Sequence, residues 1–361
     1  MKLSGMQIFW IIATIEIVMG IWLTITSTIE LSKQDAWISM LVAGVAAAAL
    51  TLLYARLSSL YPNQTLIEFS RTLMGKWLGG MIVLPYFIVW YTLPAVFLRV
   101  FGDFIHLLFL DRTPVWFIMI LPLGLSIYLT YSGGITGIGR FAEIAGPILY
   151  LAFIVSFILN APNVKWDQLL PVYSDSGWVN ILKGALTPAS YLAESFMLLV
   201  IVSFMHNPRK APSRSMLAIG LNTLILFIAA FMVVLVFGPN VSGKLRFPYF
   251  MMVRSIDIMN FIQNVDIVVV FIWIFGVFTK LSIYLFITSY EMAQLINIKD
   301  WRKIIWFGAP AIYIMACLIP NETILGLYPL LWRSLIIPVC GIGIPLLLWI
   351  ITVVKKKAVN L

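Results

Sequence analysis

Long unbroken runs of apolar residues constrain this chain more than any other feature of its sequence. The first run begins near Ile8 and continues for about twenty residues, enough helix to cross the hydrocarbon core of a bilayer. Inside a bilayer every backbone N–H and C=O group needs an internal partner, so such runs predict membrane-spanning helices. Transmembrane β-strands would instead alternate apolar and polar residues. The sequence therefore predicts an all-α integral membrane protein.

Composition supports this class and excludes several others. Hydrophobic residues make up 61% of the 361 residues and charged residues only 11%, whereas soluble domains are nearer half apolar and a quarter charged. This apolar excess excludes a soluble enzyme, a disordered chain and a disulfide scaffold. Cys317 and Cys340 lie inside apolar runs without metal-ligand spacing. No catalytic set is visible either, so we expect no enzyme activity, no metal and no cofactor.

We count ten transmembrane helices in the sequence. Five precede the polar stretch 160–178 and five follow it. Because five is odd, the two halves have opposite orientations, which is the arithmetic of an inverted repeat. We therefore expect a single transmembrane domain over 1–361, with a first repeat at 6–160 and a second at 179–355. The predicted spans are 7–28, 36–57, 77–110, 115–131, 141–159, 179–205, 216–237, 267–295, 304–319 and 335–354.

Lysine and arginine in the connecting segments set the expected orientation. They are more frequent on the side of the N-terminus, and Lys355-Lys356-Lys357 follows the last span, so we expect both termini to be cytoplasmic. The first span lacks a small-x-small cleavage pattern and is expected to be retained. The net charge of +9 fits loops lying against anionic lipid, and we expect no nucleic-acid partner.

Spans 1 and 6 carry residues that interrupt helices. Span 1 contains Gly20, followed by a hydroxyl-rich stretch, and span 6 contains Pro188. Proline removes a backbone donor, so the carbonyls near 184 and 185 lose their partners. We expect freed backbone groups of both spans to meet at the midplane and hold a ligand. A simple kink in each span is the alternative.

Four short motifs occur in an ordered set along the chain. They are Leu3-Ser4-Gly5-Met6-Gln7, the segment 61–68 (YPNQTLIE), the segment 75–79 (GKWLG) and Asp111-Arg112-Thr113-Pro114. Together with the span count and the two interrupted helices, this set resembles the spore germination permease family. The members of that family are the B subunits of bacterial spore germinant receptors, and the family belongs to the amino acid–polyamine–organocation transporter superfamily.

The resemblance implies a fold, a location and partners. The implied fold is the leucine-transporter-like 5+5 inverted repeat with interrupted helices 1 and 6. The implied location is the inner membrane of the spore. The resemblance also implies recognition of a small nutrient, such as an amino acid, a sugar or a nucleoside, and a complex with germinant receptor A and C subunits.

Ionisable residues inside spans are candidates for function, because each costs about 2.5–3.5 kcal/mol near the bilayer centre on insertion scales. Glu16 either faces the site, where it would pair with a ligand ammonium or carry a proton, or it pairs with a buried cation of another span or lines water. Lys280 either neutralises carbonyls of a broken helix, in the place of a bound ion, or pairs with Glu16 or Glu194. Arg99 and Asp103, four residues apart on span 3, are expected to form a local ion pair.

The expected ligand site combines these residues with the neighbours of both interruptions. Glu194 can share one helix face with Ser190 and Tyr191, and Tyr284 shares a face with Lys280. The predicted ligand-binding residues are Glu16, Val18, Met19, Gly20, Tyr91, Thr187, Ser190, Tyr191, Glu194, Thr279, Lys280 and Tyr284.

Three functions remain open from the sequence. The first is a nutrient sensor in a receptor complex, which the resemblance favours. The second is a proton-coupled amino acid permease that shares a proton among Glu16, Glu194 and Lys280. The third is a structural subunit that binds no nutrient. Sensor and permease need the same pocket, so flux through the isolated chain is the observation that separates them.

Overall fold

The computed structural model describes the backbone of residues 2–173, 176–257, 265–320 and 322–359, and their side chains except those of 322–324 and 356–359. Within these ranges the chain is almost entirely helical. Among the residues described, eight helical stretches are long and apolar enough to cross a membrane. In chain order the helices are α1 (Gly5–Leu23), α2 (Ile25–Ser32), α3 (Ala36–Ser59), α4 (Leu66–Met74), α5 (Lys76–Met81), α6 (Leu84–Leu108), α7 (Val115–Asn160), α8 (Gly177–Leu192), α9 (Leu198–Ile201), α10 (Ala211–Phe237), α11 (Pro239–Ser242), α12 (Pro248–Arg254), α13 (Val265–Leu295), α14 (Arg302–Leu318), α15 (Glu322–Leu331) and α16 (Ile344–Val359).

The chain start is fastened to the end of the sixth predicted span. Leu3 donates its N–H to the carbonyl of Phe204 at 2.6 Å and accepts from the N–H of His206 at 2.9 Å. Ser4 then caps α1 through reciprocal hydrogen bonds with the third residue of the helix. We call this end of the bundle the Leu3 end, and the end that α2 reaches the Glu30 end.

A glycine divides the longest helix. α7 contains 46 residues, and a straight helix of that length would measure about 69 Å, more than twice the bilayer core. Gly134 has a φ of 53° and a ψ of −158°, a conformation open to glycine and strained for other residues. The predicted turn between spans 4 and 5 is therefore found at Gly134.

The first interrupted span bends one turn later than the sequence analysis predicted. α1 passes through Gly20 and ends at Leu23, and Thr24 forms the bend before α2. The Gly20 carbonyl accepts both the N–H of Thr24, at 3.2 Å, and its hydroxyl, at 2.6 Å. A Cβ on Gly20 would lie 3.3 Å from the side chain of Leu226. The prediction of unwinding at Gly20 is wrong, because this glycine allows close packing against α10.

The second interruption is also displaced. α8 continues through Pro188 to Leu192, and the irregular segment is the 3₁₀ turn Ala193–Met197. Pro188 does free the carbonyl of Gly184, but the hydroxyl of Thr28 lies 3.2 Å from that oxygen and shares its one proton between it and the carbonyl of Thr24, at 2.8 Å. The prediction of a break at 184–188 is therefore wrong: a side chain from α2 replaces the lost donor, and the helix persists.

The last span begins earlier than predicted. A continuous helical stretch covers Leu325–Lys355, and its middle part, Trp332–Gly343, winds as a π-helix. Two buried tyrosines donate hydrogen bonds to carbonyls of this wider turn. The hydroxyl of Tyr86 donates to the carbonyl of Cys340 at 2.6 Å, and that of Tyr54 donates to the carbonyl of Gly341 at 2.7 Å. Pro338 lies inside this π-helix, whose wider turn accommodates a residue that has no backbone N–H donor.

Candidate functional site

A cavity of about 270 Å³ opens at the Glu30 end of the bundle. We call it the vestibule. Its wall carries a carboxylate, Glu30, a guanidinium, Arg246, and the hydroxyl groups of Thr26, Ser27 and Tyr191. The remaining lining residues are Leu23, Val96, Val100, Phe247, Leu325, Gly326, Tyr328 and Pro329. The vestibule therefore presents both signs of charge and several hydroxyl groups above an apolar floor.

A much smaller cavity continues from the floor of the vestibule toward the centre of the bundle. It has a volume of about 10 Å³, room for about one water molecule. Leu23, Val100 and Phe247 line both spaces. The other lining residues of this inner cavity are Val18, Met19, Trp22, Phe97, Phe104 and Trp273. Aromatic side chains thus close the path from the vestibule to the middle of α1.

Phe247 is held above the inner cavity by the segment that leads into α12. The hydroxyl of Thr26 donates to the carbonyl of Leu245 at 2.7 Å. The hydroxyl groups of Tyr249 and Ser156 lie 2.8 Å apart, and burial raises the pKa of the Tyr249 phenol. Both contacts position the Phe247 ring between the two cavities.

A buried ion pair joins three helical segments beside the inner cavity. The Nζ atom of Lys280, on α13, lies 2.6 Å and 2.8 Å from the two carboxylate oxygens of Glu194. Tyr284 donates its hydroxyl to Glu194 at 2.6 Å, and Lys280 also donates to the carbonyl of Ile15 on α1 at 3.2 Å. Lys280 and Glu194 are fully buried. Of the two pairings left open for Lys280, the structure forms the one with Glu194.

Glu16 lies near this ion pair but forms its hydrogen bond in a neighbouring polar cluster. Its Oε2 atom accepts from the amide of Asn222 at 3.2 Å, and Tyr150 hydrogen-bonds to Asn222 and, at 3.0 Å, to the carbonyl of Ala13. The Oε1 atom of Glu16 is buried, and no hydrogen-bond partner is found for it in the described part of the chain. The cluster therefore leaves one carboxyl oxygen of Glu16 unsatisfied.

The other predicted site residues divide between the cavities and elsewhere. Val18 and Met19 line the inner cavity, and Tyr191 lines the vestibule. Tyr91 is half-buried and borders neither cavity, while the hydroxyl of Thr279 donates within its own helix.

Thr187 and Ser190 lie on a different side of α8. Ser190 lines a lateral cleft rather than the vestibule, and its hydroxyl donates to the carbonyl of Thr187 at 2.7 Å. Arg333 approaches the Thr187 hydroxyl at 3.4 Å. Ser190 therefore faces the lateral cleft, whereas the next residue along α8, Tyr191, faces the vestibule.

The local ion pair expected on the third span is confirmed. Arg99 Nε donates to Asp103 Oδ1 at 2.9 Å, and Arg99 Nη1 donates to the carbonyl of Ile319 at 2.5 Å. The guanidinium thus links α6 to the end of α14, and both of its contacts are structural.

Sequence reasoning missed the aromatic side chains that line the inner cavity and the amide beside Glu16. Trp22, Phe97 and Trp273 have no feature that distinguishes them in sequence from ordinary core aromatics. Asn222 offered a signal, because it is a polar amide in the middle of an apolar span, and such residues mark buried hydrogen bonds.

The sequence matches a described family over nearly its whole length. Residues 2–324 match the family described as spore germination protein. Among curated relatives, spore germination protein YndE of Bacillus subtilis (strain 168) is 28% identical over 299 residues, covering 82% of this chain and 81% of that protein. Spore germination protein KB of the same organism is 25% identical over 369 residues, covering 99% of this chain and 96% of that protein.

Solved structures with the same fold are membrane transporters. MhsT, solved in complex with L-phenylalanine, aligns with a TM-score of 0.70 at 14% identity, covering 95% of this chain and 89% of that one. The nucleobase-cation-symport-1 family transporter Mhp1 aligns with a TM-score of 0.63 at 15% identity, covering 95% and 77%. Relatives and neighbours are germination proteins and transporters, which confirms the prediction of a membrane protein that is not an enzyme. The chain belongs to the spore germination protein family and has the fold of these transporters.

Proposed function

We propose that the chain is the nutrient-sensing subunit of a spore germinant receptor. We further propose ten membrane passes in two inverted repeats, both termini in the cytoplasm, the inner spore membrane as the location, and receptor A and C subunits as partners. Family membership and the transporter fold support these assignments. With this orientation, the vestibule opens away from the cytoplasm, toward arriving nutrient.

The vestibule and the inner cavity together carry the proposal. Glu30 and Arg246 present opposite charges to one space, which matches the ammonium and carboxylate groups of an amino acid. The inner cavity beneath is lined by apolar and aromatic groups, which suit a nutrient side chain. One structural neighbour was solved with L-phenylalanine, in keeping with an amino acid as the ligand.

We propose that Phe247 moves when the ligand enters. The inner cavity is closed at about 10 Å³, too small for an amino acid side chain, so binding requires the aromatic residues around it to separate. A ligand that occupies the opened cavity stabilises that packing over the closed one. The response of the partner subunits is limited by this difference in affinity.

Lys280 supports a sensor that works without a coupling cation. Its ammonium group touches a carbonyl of α1 and the carboxylate of Glu194 at the same time. The protein itself thus supplies a positive charge where α1, α13 and the Ala193–Met197 segment meet. We propose that this fixed charge holds the closed packing in place of a bound ion.

The test measures nutrient binding and nutrient response with matched variants. Glu30→Gln removes one charge from the vestibule, and Asp111→Asn makes the same chemical change at an exposed position outside it. Because hydrogen bonds to charged groups contribute about 1.5–3 kcal/mol, we expect Glu30→Gln to weaken amino acid binding roughly 10- to 100-fold. Asp111→Asn should leave it unchanged.

Binding is measured as ligand-induced thermal stabilisation of the purified chain across amino acids, sugars and nucleosides. Response is measured as germination of spores that carry each variant at equal protein level. Absence of binding by every class, together with an unchanged nutrient response of the Glu30→Gln and Phe247→Ala spores, would favour the structural-subunit alternative.

A proton-coupled permease is the second candidate, favoured by the unsatisfied oxygen of Glu16. A buried carboxyl with one oxygen free of partners can take up and release a proton as its surroundings change. Accumulation of labelled amino acid in proteoliposomes under a pH gradient, abolished by Glu16→Gln, would establish transport. Binding without accumulation supports the sensor.

A further inference from the structure

A lateral cleft of about 570 Å³ lies on the outside of the bundle, apart from the vestibule. Its walls come from α2, α3, α8 and the π-helix Trp332–Gly343. α8 separates the two spaces, because Ser190 lines the cleft and the next residue, Tyr191, lines the vestibule. The cleft therefore touches the helix that forms part of the proposed nutrient site without belonging to that site.

Two cationic side chains lie beside an apolar groove in this cleft. We call this groove, lined by Leu31, Ala46, Leu50, Leu186, Ile337 and Ile342, the trough. Lys183 and Arg333 line it together with Ala46, Leu186 and Ile337. Within the described ranges neither cation is paired with a carboxylate, and Arg333 has only the hydroxyl of Thr187 within reach, at 3.4 Å. Both cations are exposed.

The trough runs from the Glu30 end toward the middle of the membrane. Leu31 lies at the end of α2, whereas Leu50 lies in the interior of α3 and Ile342 in the interior of the last span. An elongated apolar channel with positive charge near one end is complementary to a phosphate carried on an acyl chain. The volume falls in the range of about 300–1,000 Å³ that bound small molecules occupy.

We propose that this cleft binds an anionic phospholipid. The phosphate lies between Lys183 and Arg333, and one acyl chain follows the trough past Ala46 and Ile337. A transmembrane helix of another subunit fits less well, because it would bring an apolar face against two cations that need an anion. An occupied cleft packs against α8 at Leu186 and Ser190, directly beside Tyr191, and lipid occupancy is thus coupled to the nutrient site through one helix.

The test compares lipids that share acyl chains and differ in charge. The full chain is titrated with phosphatidylglycerol and phosphatidylcholine in detergent, and bound lipid is counted by native mass spectrometry. We expect at least roughly tenfold tighter binding of phosphatidylglycerol. The double variant Lys183→Gln/Arg333→Gln should lose this preference, whereas Lys244→Gln/Arg254→Gln, which removes two exposed cations outside the cleft, should keep it.

A conservative variant separates lost charge from lost fold. Lys183→Arg/Arg333→Lys retains both cations and should retain the preference for phosphatidylglycerol. Equal binding of both lipids by the unaltered chain overturns the proposal, and so does a preference that survives the double glutamine variant. Competition by inorganic phosphate without any contribution from the acyl chain overturns it as well, in favour of a simple anion site.

A second measurement tests what covers the cleft. Leu186→Cys in a Cys317→Ser background places a thiol in the trough. Phosphatidylglycerol should slow maleimide labelling of this thiol and phosphatidylcholine should not. Protection by a co-purified receptor subunit in lipid-depleted detergent, with no effect of phosphatidylglycerol, would overturn the lipid assignment in favour of a subunit interface.

Discussion

Removing the carboxylate of Glu194 isolates the charge of Lys280 in the interior of the bundle. The two groups are fully buried and 2.6 Å apart at their closest atoms. At an effective dielectric constant of about 20, unit charges at this distance attract by about 6 kcal/mol, and desolvation offsets much of that attraction. Loss of one partner leaves the desolvation cost unbalanced. We therefore expect Glu194→Gln to lower the free energy of unfolding by about 3–5 kcal/mol.

The double variant Glu194→Gln/Lys280→Met should recover most of this loss. Methionine approximates the length of lysine and carries no charge, so no ion remains without a partner. We expect the double variant to lie within about 1–2 kcal/mol of the unaltered chain, since apolar replacement of a buried pair is often close to neutral. Asp111→Asn serves as the control, because this carboxylate is exposed and its loss should change the free energy of unfolding by no more than about 0.5 kcal/mol.

The assay is reversible unfolding of the purified chain in mixed micelles by a denaturing detergent, followed by tryptophan fluorescence. Free energies of the two single variants and the double variant close a double-mutant cycle. A double variant as unstable as Glu194→Gln would refute the reasoning, because the loss would then come from packing. A single variant that loses less than about 1 kcal/mol would refute it too.

Three further substitutions test contacts between distant segments. Gly79→Ala should lower the free energy of unfolding by about 1–3 kcal/mol in the same detergent titration, because the new Cβ would lie 2.4 Å from a backbone oxygen of α4. Glu291→Leu should weaken the start of α4 by about 1–3 kcal/mol, because it removes the buried oxygen that accepts the N–H of Ile67 at 3.2 Å, and faster hydrogen exchange of the first α4 amides would reveal it. Thr28→Val should cost about 1–3 kcal/mol of unfolding free energy by leaving the carbonyl of Gly184 without a donor, and an unchanged stability would contradict the contact.

The sequence identified the ionisable side chains that matter in the interior but left their partners open. Lys280 had two possible carboxylate partners, and only the positions of α1 and the 193–197 segment decide for Glu194. Tyr284 was expected on the face of Lys280, and it does reach the same carboxylate. Helical periodicity predicts such a shared face because it is a local property of one helix.

The interruptions were predicted in the correct spans and at the wrong residues. α8 continues through Pro188, because the hydroxyl of Thr28 on α2 donates to the carbonyl of Gly184, which the proline leaves without a helical donor. The irregular backbone appears instead at Ala193–Met197, where Glu194 meets Lys280. Whether a proline interrupts a helix in a membrane depends on whether a neighbouring segment supplies a hydrogen-bond partner for the freed backbone carbonyl. The sequence does not show which segment lies there.

The sequence by itself determined that this chain is a helical membrane protein, because the cost of transferring a residue into lipid depends mainly on that residue and accumulates along each run. It also identified the ionisable side chains whose transfer into lipid costs so much free energy that they need partners inside the protein. Only the tertiary structure decided how those side chains pair, where the helices bend and which cavities remain. Those outcomes depend on groups as far apart as Thr28 and Gly184, 156 positions from each other in the chain, brought together by packing.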